Sequence, residues 1–318
     1  MRDWLIERGI GESRAALIED GQIVEARIDL EGVVSAGSIV AARLVDIGRS
    51  GRNAVARDAE GSEYLLPRGA PGITQGAALA VEVTRGKIPG AEPWKRTVGR
   101  VSGEAPRRAE ALMGRALPFP AAEDALGAAG WSDLVEQARS GVVQFAGGEL
   151  RIAATPAMTL VDVDGYLAPH DLAVRGAAEA ACAIRRLDIG GSIGIDLPTA
   201  GSKVSRQAAA AAIDEHLPLP FERTAVNGFG FVQIVRPRLR ASLVDLAQDR
   251  GAFEARAFLR RVALEPPGPK RLVAHPAVIA VIEQTAGWTD RLARQIGGSV
   301  LLRADAGLAI SAGYAEPA

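Results

Sequence analysis

The chain has few of the residues that build disulfide bridges or soft-metal sites. Its 318 residues include one cysteine, Cys182, and three histidines, His170, His216 and His275. A single cysteine excludes a disulfide framework and is typical of a reducing compartment. The histidines do not have the spacing of metal ligands. Oxygen-bearing side chains are therefore the candidates for any metal chemistry.

Long apolar runs and an excess of charge are also missing. No stretch of about 18 apolar residues occurs, as a membrane helix would require, and the start of the sequence lacks the apolar centre of a signal peptide. We therefore expect a cytoplasmic protein with no membrane partner. The 37 basic and 38 acidic residues nearly cancel, which is unusual for a protein that binds nucleic acid. Local basic clusters can still steer phosphates, and two occur: Arg100, Arg107, Arg108 and Arg115, then Arg236, Arg238 and Arg240.

Two short apolar strands bracket a helix in residues 158–198, and each strand ends in acid. Strand alternation puts Asp162 and Asp164 on one face of the first strand, and Asp196 ends the second. A helix over roughly Leu172 to Leu187 is long enough for a parallel crossover, so Asp162 and Asp196 are expected side by side at the carboxyl ends. Small residues before Asp196 are expected to leave room for a ligand there.

Carboxylates that point into one space repel each other unless a cation lies between them. Mg²⁺, or Mn²⁺ in its place, suits oxygen ligands of this kind and commonly meets a phosphate. The alternative is that these aspartates only end strands and begin turns, as aspartate often does. The residue pattern alone leaves both interpretations open.

Three motifs in order resemble the catalytic region of the ribonuclease E/G family: LVDVDG, RRLDIGGSIGIDLP and NGFGFVQIVRPRLRASL. The resemblance implies an endoribonuclease in which Asp162 and Asp196 are catalytic and hold a Mg²⁺ ion for phosphodiester hydrolysis in RNA. An asparagine of the family falls on Asp164. The acid there adds negative charge, and it acts either as a third metal ligand or as a residue that orients Asp196.

The pattern and the resemblance together predict a multidomain protein of mixed α+β and α/β class. Short strands separated by turns indicate a small barrel, and Ala-rich stretches broken by Pro-Phe-Pro indicate helices. The expected units are an N-terminal hairpin packed on the catalytic core (1–32), an inserted OB-fold RNA-binding barrel (33–100), a helical linker (101–140), a DNase I-like or RNase H-like catalytic domain (141–245) and a small α+β domain (246–318).

Candidate RNA contacts follow from the same resemblance. In the barrel they are Tyr64, as a stacking platform, with Lys87 and Lys95 along the backbone and Trp94 as a further stacking residue. Each of these has the alternative of an ordinary core or surface residue.

Three more candidates follow the second acidic strand. Phe229 either packs on a base or belongs to the core. Arg236 and Arg238 match the family's R-x-R and either grip phosphate near the metal or form structural ion pairs. Ser202 is expected to cap a helix whose Lys203 and Arg206 are either solvated or in contact with phosphate.

Two segments of the family have no counterpart in the sequence. The Arg-Thr-Ala motif of a pocket that senses the RNA 5′-monophosphate is missing, so cleavage is expected not to depend on the 5′ end. The Cys-Pro-x-Cys zinc link is missing as well, so no zinc is expected, and a homodimer would form through other surfaces.

We therefore expect a Mg²⁺-dependent endoribonuclease that cleaves single-stranded RNA in the processing or decay of rRNA or mRNA. The alternative is a catalytically weak or inactive RNA-binding protein of the same family, motivated by the departures at Asp164, Thr199 and Gln233. A third hypothesis is that the carboxylates act on another phosphate substrate, such as a nucleotide.

Overall fold

The computed structural model describes residues 4–89, 95–110, 112–199 and 201–318. Within these ranges the chain forms three open sheets and one closed five-stranded barrel, with helices between them. The protein is thus of mixed α/β class, as the sequence predicts. No helix in the described ranges is long and apolar enough to cross a bilayer.

The N-terminal sheet has the strand order β3-β2-β1-β9. Its strands are β1 (Trp4–Arg8), β2 (Glu12–Glu19), β3 (Gln22–Leu30) and β9 (Arg115–Leu117). The tight turn between β2 and β3 uses positive φ at Asp20 (50°) and Gly21 (77°), a conformation that suits glycine and tolerates aspartate. The hairpin predicted for residues 1–32 is present as β2 and β3, and β1 and β9 extend it to four strands.

The barrel contains five strands in the cyclic order β4-β5-β6-β8-β7. They are β4 (Ile39–Asp46), β5 (Ala54–Arg57), β6 (Glu63–Leu66), β7 (Ala78–Arg85) and β8 (Thr97–Ser102). Strand β4 pairs with β7 and closes the barrel, and β6 pairs with β8 in parallel. Alternating side chains fill its interior, among them Leu44, Tyr64, Leu66 and Val81. A single closed barrel of short strands is what the turn-rich segment predicts.

The linker predicted as helical is helical only in its last part among the residues that the structure describes. Only α1 (Ala125–Ala128) and α2 (Trp131–Ser140) are helical, and the described residues between 103 and 124 form no helix. Arg107 exchanges two backbone hydrogen bonds of 2.8 Å with Ile39, and β9 pairs with β1. These partners satisfy the backbone groups of Arg107 and β9 outside a helix, and the prolines of the segment cannot donate hydrogen bonds within one.

The central sheet holds six strands in the order β10-β11-β12-β13-β15-β14. They are β10 (Val142–Phe145), β11 (Gly148–Ala154), β12 (Thr159–Gly165), β13 (Gly191–Asp196), β14 (Glu222–Arg223) and β15 (Phe231–Arg236). Only β12 and β13 pair in parallel; the other neighbours are antiparallel. The crossover between the parallel strands is α3 (Pro169–Arg186), close to the predicted helix.

Small side chains allow α3 to lie close to the sheet. A Cβ atom at Gly176 would stand 2.3 Å from Cγ1 of Val163 on β12, and Ala173, Ala177 and Ala180 are buried on the same helix. Helix α4 (Lys203–His216) packs beside α3. It begins at Ser202, whose hydroxyl accepts a hydrogen bond from the Ser205 N–H, so the predicted cap is confirmed.

The C-terminal part has its own apolar core, which includes Phe258, Leu272, Ile279 and Leu292. Its elements are α6 (Arg250–Ala263), β16 (Lys270–Ala274), α7 (Pro276–Gln284), α8 (Trp288–Ile296), β17 (Val300–Ala304) and β18 (Tyr314–Pro317). The short helix α5 (Leu243–Ala247) precedes them and packs its apolar side chains into the core of the central sheet. Helices and strands therefore alternate in residues 246–318, as the predicted α+β class requires.

A mostly buried cluster of charges joins the N-terminal sheet to α6. We call it the ionic cluster; it consists of Glu7, Glu12, Arg14, Asp124, Arg256 and Arg260. Arg14 bonds both Glu7 (2.7 Å) and Glu12 (2.8 Å), and Arg260 bonds Glu7 (2.9 Å). The formal charges of the cluster cancel, which offsets the cost of removing them from water.

Candidate metal centre

Asp162 and Asp196 lie side by side at the carboxyl ends of the two parallel strands. They are register partners between β12 and β13, so their Cα atoms are about 5 Å apart. Both side chains lie on the exposed face, while Val161, Val163 and Ile195 of the same strands are buried on the other. The strands and the helix α3 between them therefore place the two carboxylates together, as the sequence predicts.

A third acid and an arginine extend this row. Asp164 lies two residues further along the exposed face of β12, and Glu149 on β11 is its register partner. Arg151 on β11 is the register partner of Asp162, but its guanidinium pairs with the carboxylate of Glu149. No ion pair within the described residues engages Asp162, Asp164 or Asp196. The two central carboxylates are therefore free to bind a ligand.

The electrostatics of this edge favour a cation. Partial burial raises the pKa of Asp162, and the charges of Asp164 and Asp196 raise it further, against smaller opposing effects of a backbone hydrogen bond and of Arg151. Each neighbouring carboxylate therefore makes ionisation of Asp162 harder. A divalent ion between the acids would remove this repulsion.

The donor set fits Mg²⁺ with few protein ligands. Within the described ranges, no group of three or more His, Cys, Asp or Glu side chains is arranged to hold a metal. Both roles of Asp164, as a third ligand or as a residue that orients Asp196, stay predictions. Mg²⁺ commonly takes one or two carboxylates and completes its shell with water and phosphate oxygens, and Asp162 with Asp196 matches that requirement.

The space expected beside Asp196 is filled. A Cβ atom at Gly194 would stand 2.5 Å from Cζ of Phe231 and 3.0 Å from Cδ2 of Leu160. The Phe231 ring and the Leu160 side chain therefore occupy the space above Gly194. The prediction of room for a ligand above Gly194 is therefore wrong.

Phe229 lies beyond that edge with its ring in solvent. It is 83% exposed and sits in the turn before β15, where Phe229 and Phe231 both donate backbone hydrogen bonds to Oδ1 of Asn227 (2.9 and 3.1 Å). Because Phe231 is the register partner of Asp196, this turn borders the acid pair. The interpretation of Phe229 as a core residue is wrong, and its ring is accessible to a base.

Sequence reasoning missed Tyr166 at the same edge. Tyr166 directly follows β12 and is 85% exposed, and its backbone N–H donates to the carbonyl of Gly147 (3.1 Å). The available signal was an aromatic residue in the turn after Asp164, at a place where the alternation of the strand no longer requires an apolar side chain.

Arg236 and Arg238 do not lie near the acids. Strand β15 runs antiparallel to β13, so Arg236 is the partner of Gly191, five residues before Asp196, which is about 16 Å along the strand. Arg236 donates to the carbonyl of Ile189 (3.1 Å), and Arg238 bonds Asp245 (2.8 Å). The prediction that they grip phosphate beside the metal is wrong. Both arginines instead make structural contacts.

The barrel residues are not brought to the acid pair either. Tyr64 is fully buried, and its hydroxyl donates to Asp58 (2.7 Å), so no base can stack on its ring and that prediction is wrong. Lys87 is exposed and Lys95 partly exposed. Lys87 follows Gly86, which donates to the carbonyl of Leu239 (3.0 Å) on the Arg238 side of the sheet, and the carbonyl of Lys95 accepts from the N–H of Ile88 (3.3 Å). Trp94 lies outside the described residues.

The chain matches no protein-family model and no curated protein. The likeness to ribonuclease E/G therefore rests on the three sequence motifs.

Proposed function

We propose that the protein is a Mg²⁺-dependent endoribonuclease that cleaves single-stranded RNA. The observation that carries the proposal is the register of Asp162 with Asp196 on adjacent parallel strands, both exposed at one edge of the sheet. The ligands of a hard cation are thereby assembled where an α/β sheet usually binds its ligand. Burial and the acidic neighbours raise the pKa of Asp162. This repulsion between carboxylates is what a bound cation would relieve.

Each acid has a separate role in this proposal. Asp162 and Asp196 would hold the ion, and Asp164 would orient the pair through its charge on the same face. Bound Mg²⁺ supplies activation of a water molecule and stabilisation of the charge that develops on the phosphate. The side chains themselves repel the RNA backbone, so without the cation this edge is unfavourable for phosphate.

The barrel is the proposed RNA-binding unit. Its strand order, with the first strand paired to the fourth and the third paired in parallel to the fifth, supports an OB-fold, which commonly binds single strands. The six-stranded sheet would be the DNase I-like or RNase H-like catalytic unit. Because Lys87 lies toward the edge opposite Asp196, an RNA that contacts both has to extend across the sheet.

The biological role proposed is processing or decay of rRNA or mRNA, without dependence on the 5′ end. The short segment between the barrel and the central sheet contains no Arg-Thr-Ala motif, which supports the second part. A homodimer stays a prediction.

The second candidate is an RNA-binding protein with weak or no catalysis. Two observations favour it. The family's R-x-R arginines lie about 16 Å from the acid row along the sheet, and Asp164 replaces a neutral amide with a charge. On this reading the fold is retained while the phosphate beside the metal lacks arginine contacts.

Incubation of a fluorescent single-stranded RNA with Mg²⁺ or with a chelator distinguishes the two. The nuclease proposal requires shortened products with Mg²⁺ only, from 5′-hydroxyl and 5′-phosphate substrates alike, and none from Asp162→Asn or Asp196→Asn. RNA binding without any product would favour the second candidate. Asp290→Asn, on the distant helix α8, is the matched control and should cleave as the wild type does.

A further inference from the structure

Two exposed aromatic rings lie at the edge of the sheet that carries Asp162, Asp164 and Asp196. Within the described ranges, Tyr166 and Phe229 are the most exposed aromatic side chains, at 85% and 83%. Tyr166 follows the end of β12, two residues after Asp164. Phe229 precedes the start of β15, two residues before the partner of Asp196. Because β15 begins where β13 ends, both rings leave the same edge of the sheet, one on each side of the acid pair.

Both rings are carried by anchored backbone. The N–H of Tyr166 donates to Gly147 (3.1 Å), and the turn that bears Phe229 is held by two hydrogen bonds to the Asn227 side chain. Large apolar surface left in water is unfavourable unless something covers it. Neither ring contributes to an apolar core of the described chain. An exposed aromatic ring on an anchored backbone can serve as a platform on which a base stacks.

Charge at this edge narrows the choice of partner. The carboxylates of Asp162, Asp164 and Asp196 lie at this edge, while Arg236 and Arg238 lie at the opposite edge. A partner that binds here therefore cannot rely on phosphate contacts with Arg236 or Arg238, and the guanidinium of Arg151 is already paired with Glu149. The faces of nucleobases are neutral and need no arginine contact, and every unpaired base has a face free for stacking.

We propose that Tyr166 and Phe229 each stack an unpaired base, one on either side of the acid pair, and so restrict this site to single-stranded RNA. The inference deepens the proposed function and rests on it for the choice of RNA. Duplex RNA is rejected because its base faces are covered by their neighbours in the stack. Stacking at two points also holds the strand so that the phosphate between the two bases lies at the acids.

The test is binding, with Mg²⁺ present, of a fluorescent single-stranded RNA of about 12 nucleotides whose phosphorothioate linkages resist cleavage. Tyr166→Ala and Phe229→Ala should each weaken binding about 5- to 100-fold, whereas Tyr166→Phe and Phe229→Tyr should restore it. Met113→Ala, which removes a similarly exposed apolar side chain elsewhere, is the matched control and should bind normally. The melting temperature of every variant is measured to confirm folding.

A spectroscopic readout identifies stacking itself. RNA that carries 2-aminopurine should lose fluorescence on binding to the wild type, and part of this quenching should disappear in Tyr166→Ala but not in Met113→Ala. Unchanged binding and quenching in both alanine variants would overturn the inference. If the wild type stacks RNA in this way yet yields no product with Mg²⁺, the inference stands and the nuclease proposal fails. If the wild type cleaves RNA while both alanine variants bind and cleave normally, the nuclease proposal stands and the stacking inference fails.

Discussion

Arg151 and Asp162 are register partners on adjacent antiparallel strands, with both side chains on the exposed face of the central sheet. The positive charge of Arg151 lowers the pKa of Asp162, although burial and the two neighbouring aspartates raise it by more. The guanidinium itself is paired with Glu149. Asp162 therefore has a cation on one side and Asp196 on the other, and the balance between them sets how well this edge binds a divalent ion.

Arg151→Ala should strengthen Mg²⁺ binding at neutral pH. Removal of a positive charge near a surface-exposed site changes the binding free energy by up to about 1 kcal/mol, equivalent to about 2- to 5-fold in affinity. Isothermal titration with Mg²⁺ measures the change. Arg271→Ala, in the C-terminal sheet, should leave the affinity unchanged. Weaker binding in Arg151→Ala would show that Arg151 does not act on the site through charge.

Stability of the apo protein should depend on the ionisation of Asp162. Its pKa is raised by burial and by like charges, so its protonated form stabilises the fold below the ordinary carboxyl value, and that contribution is lost as pH rises through the raised value. Asp162→Asn does not ionise. The melting temperature of the variant relative to the wild type should therefore rise between acidic and neutral pH in chelator.

Added Mg²⁺ should reverse this gain in melting temperature of Asp162→Asn over the wild type. At neutral pH it should raise the melting temperature of the wild type by binding the folded state, with little effect on Asp162→Asn. If both proteins respond equally to Mg²⁺, the ion binds elsewhere.

The ionic cluster should be a major determinant of stability. Arg260→Ala leaves the buried carboxylate of Glu7 without one of its two arginine partners, and breaking a buried charge pair in this way costs about 3–5 kcal/mol. The exposed pair of Arg291 with Glu31 provides the control, since Arg291→Ala should cost about 0–1 kcal/mol. Urea unfolding compares the two. Equal losses would contradict the importance assigned to burial.

Gly176 is expected to be intolerant of larger side chains. A Cβ atom there would stand 2.3 Å from Val163, and Val163 lies between Asp162 and Asp164 on β12. Gly176→Val should reduce the free energy of unfolding by about 1–3 kcal/mol through overpacking. It should also weaken Mg²⁺ binding if the strand moves. Arg175→Ala, at the exposed neighbouring position, should do neither.

Local patterns in the sequence were sufficient for much of the fold. The Asp20–Gly21 turn, the alternation around Asp162 and the Ser202 cap each depend on a few adjacent residues, and the structure confirms them. The position of Asp196 beside Asp162 also followed, because a helix between two strands restricts how they pair. These predictions required no knowledge of distant contacts.

Errors arose where distant parts of the chain decide the outcome. Arg236 seemed suited to phosphate, but the register of β15 against β13 places it at the far edge. Tyr64 faces the interior because the closed barrel buries that side of β6. The contact of Arg260 with Glu7 joins residues 253 positions apart. A single sequence contains no local signal for such pairings.

Cleavage of a fluorescent single-stranded RNA by the wild type, Asp162→Asn and Asp196→Asn, with Mg²⁺ or with chelator, tests the central claim most directly. The account predicts products only from the wild type with Mg²⁺, while both variants still bind the RNA. Products formed by either asparagine variant at the wild-type rate would contradict the assignment of these two aspartates.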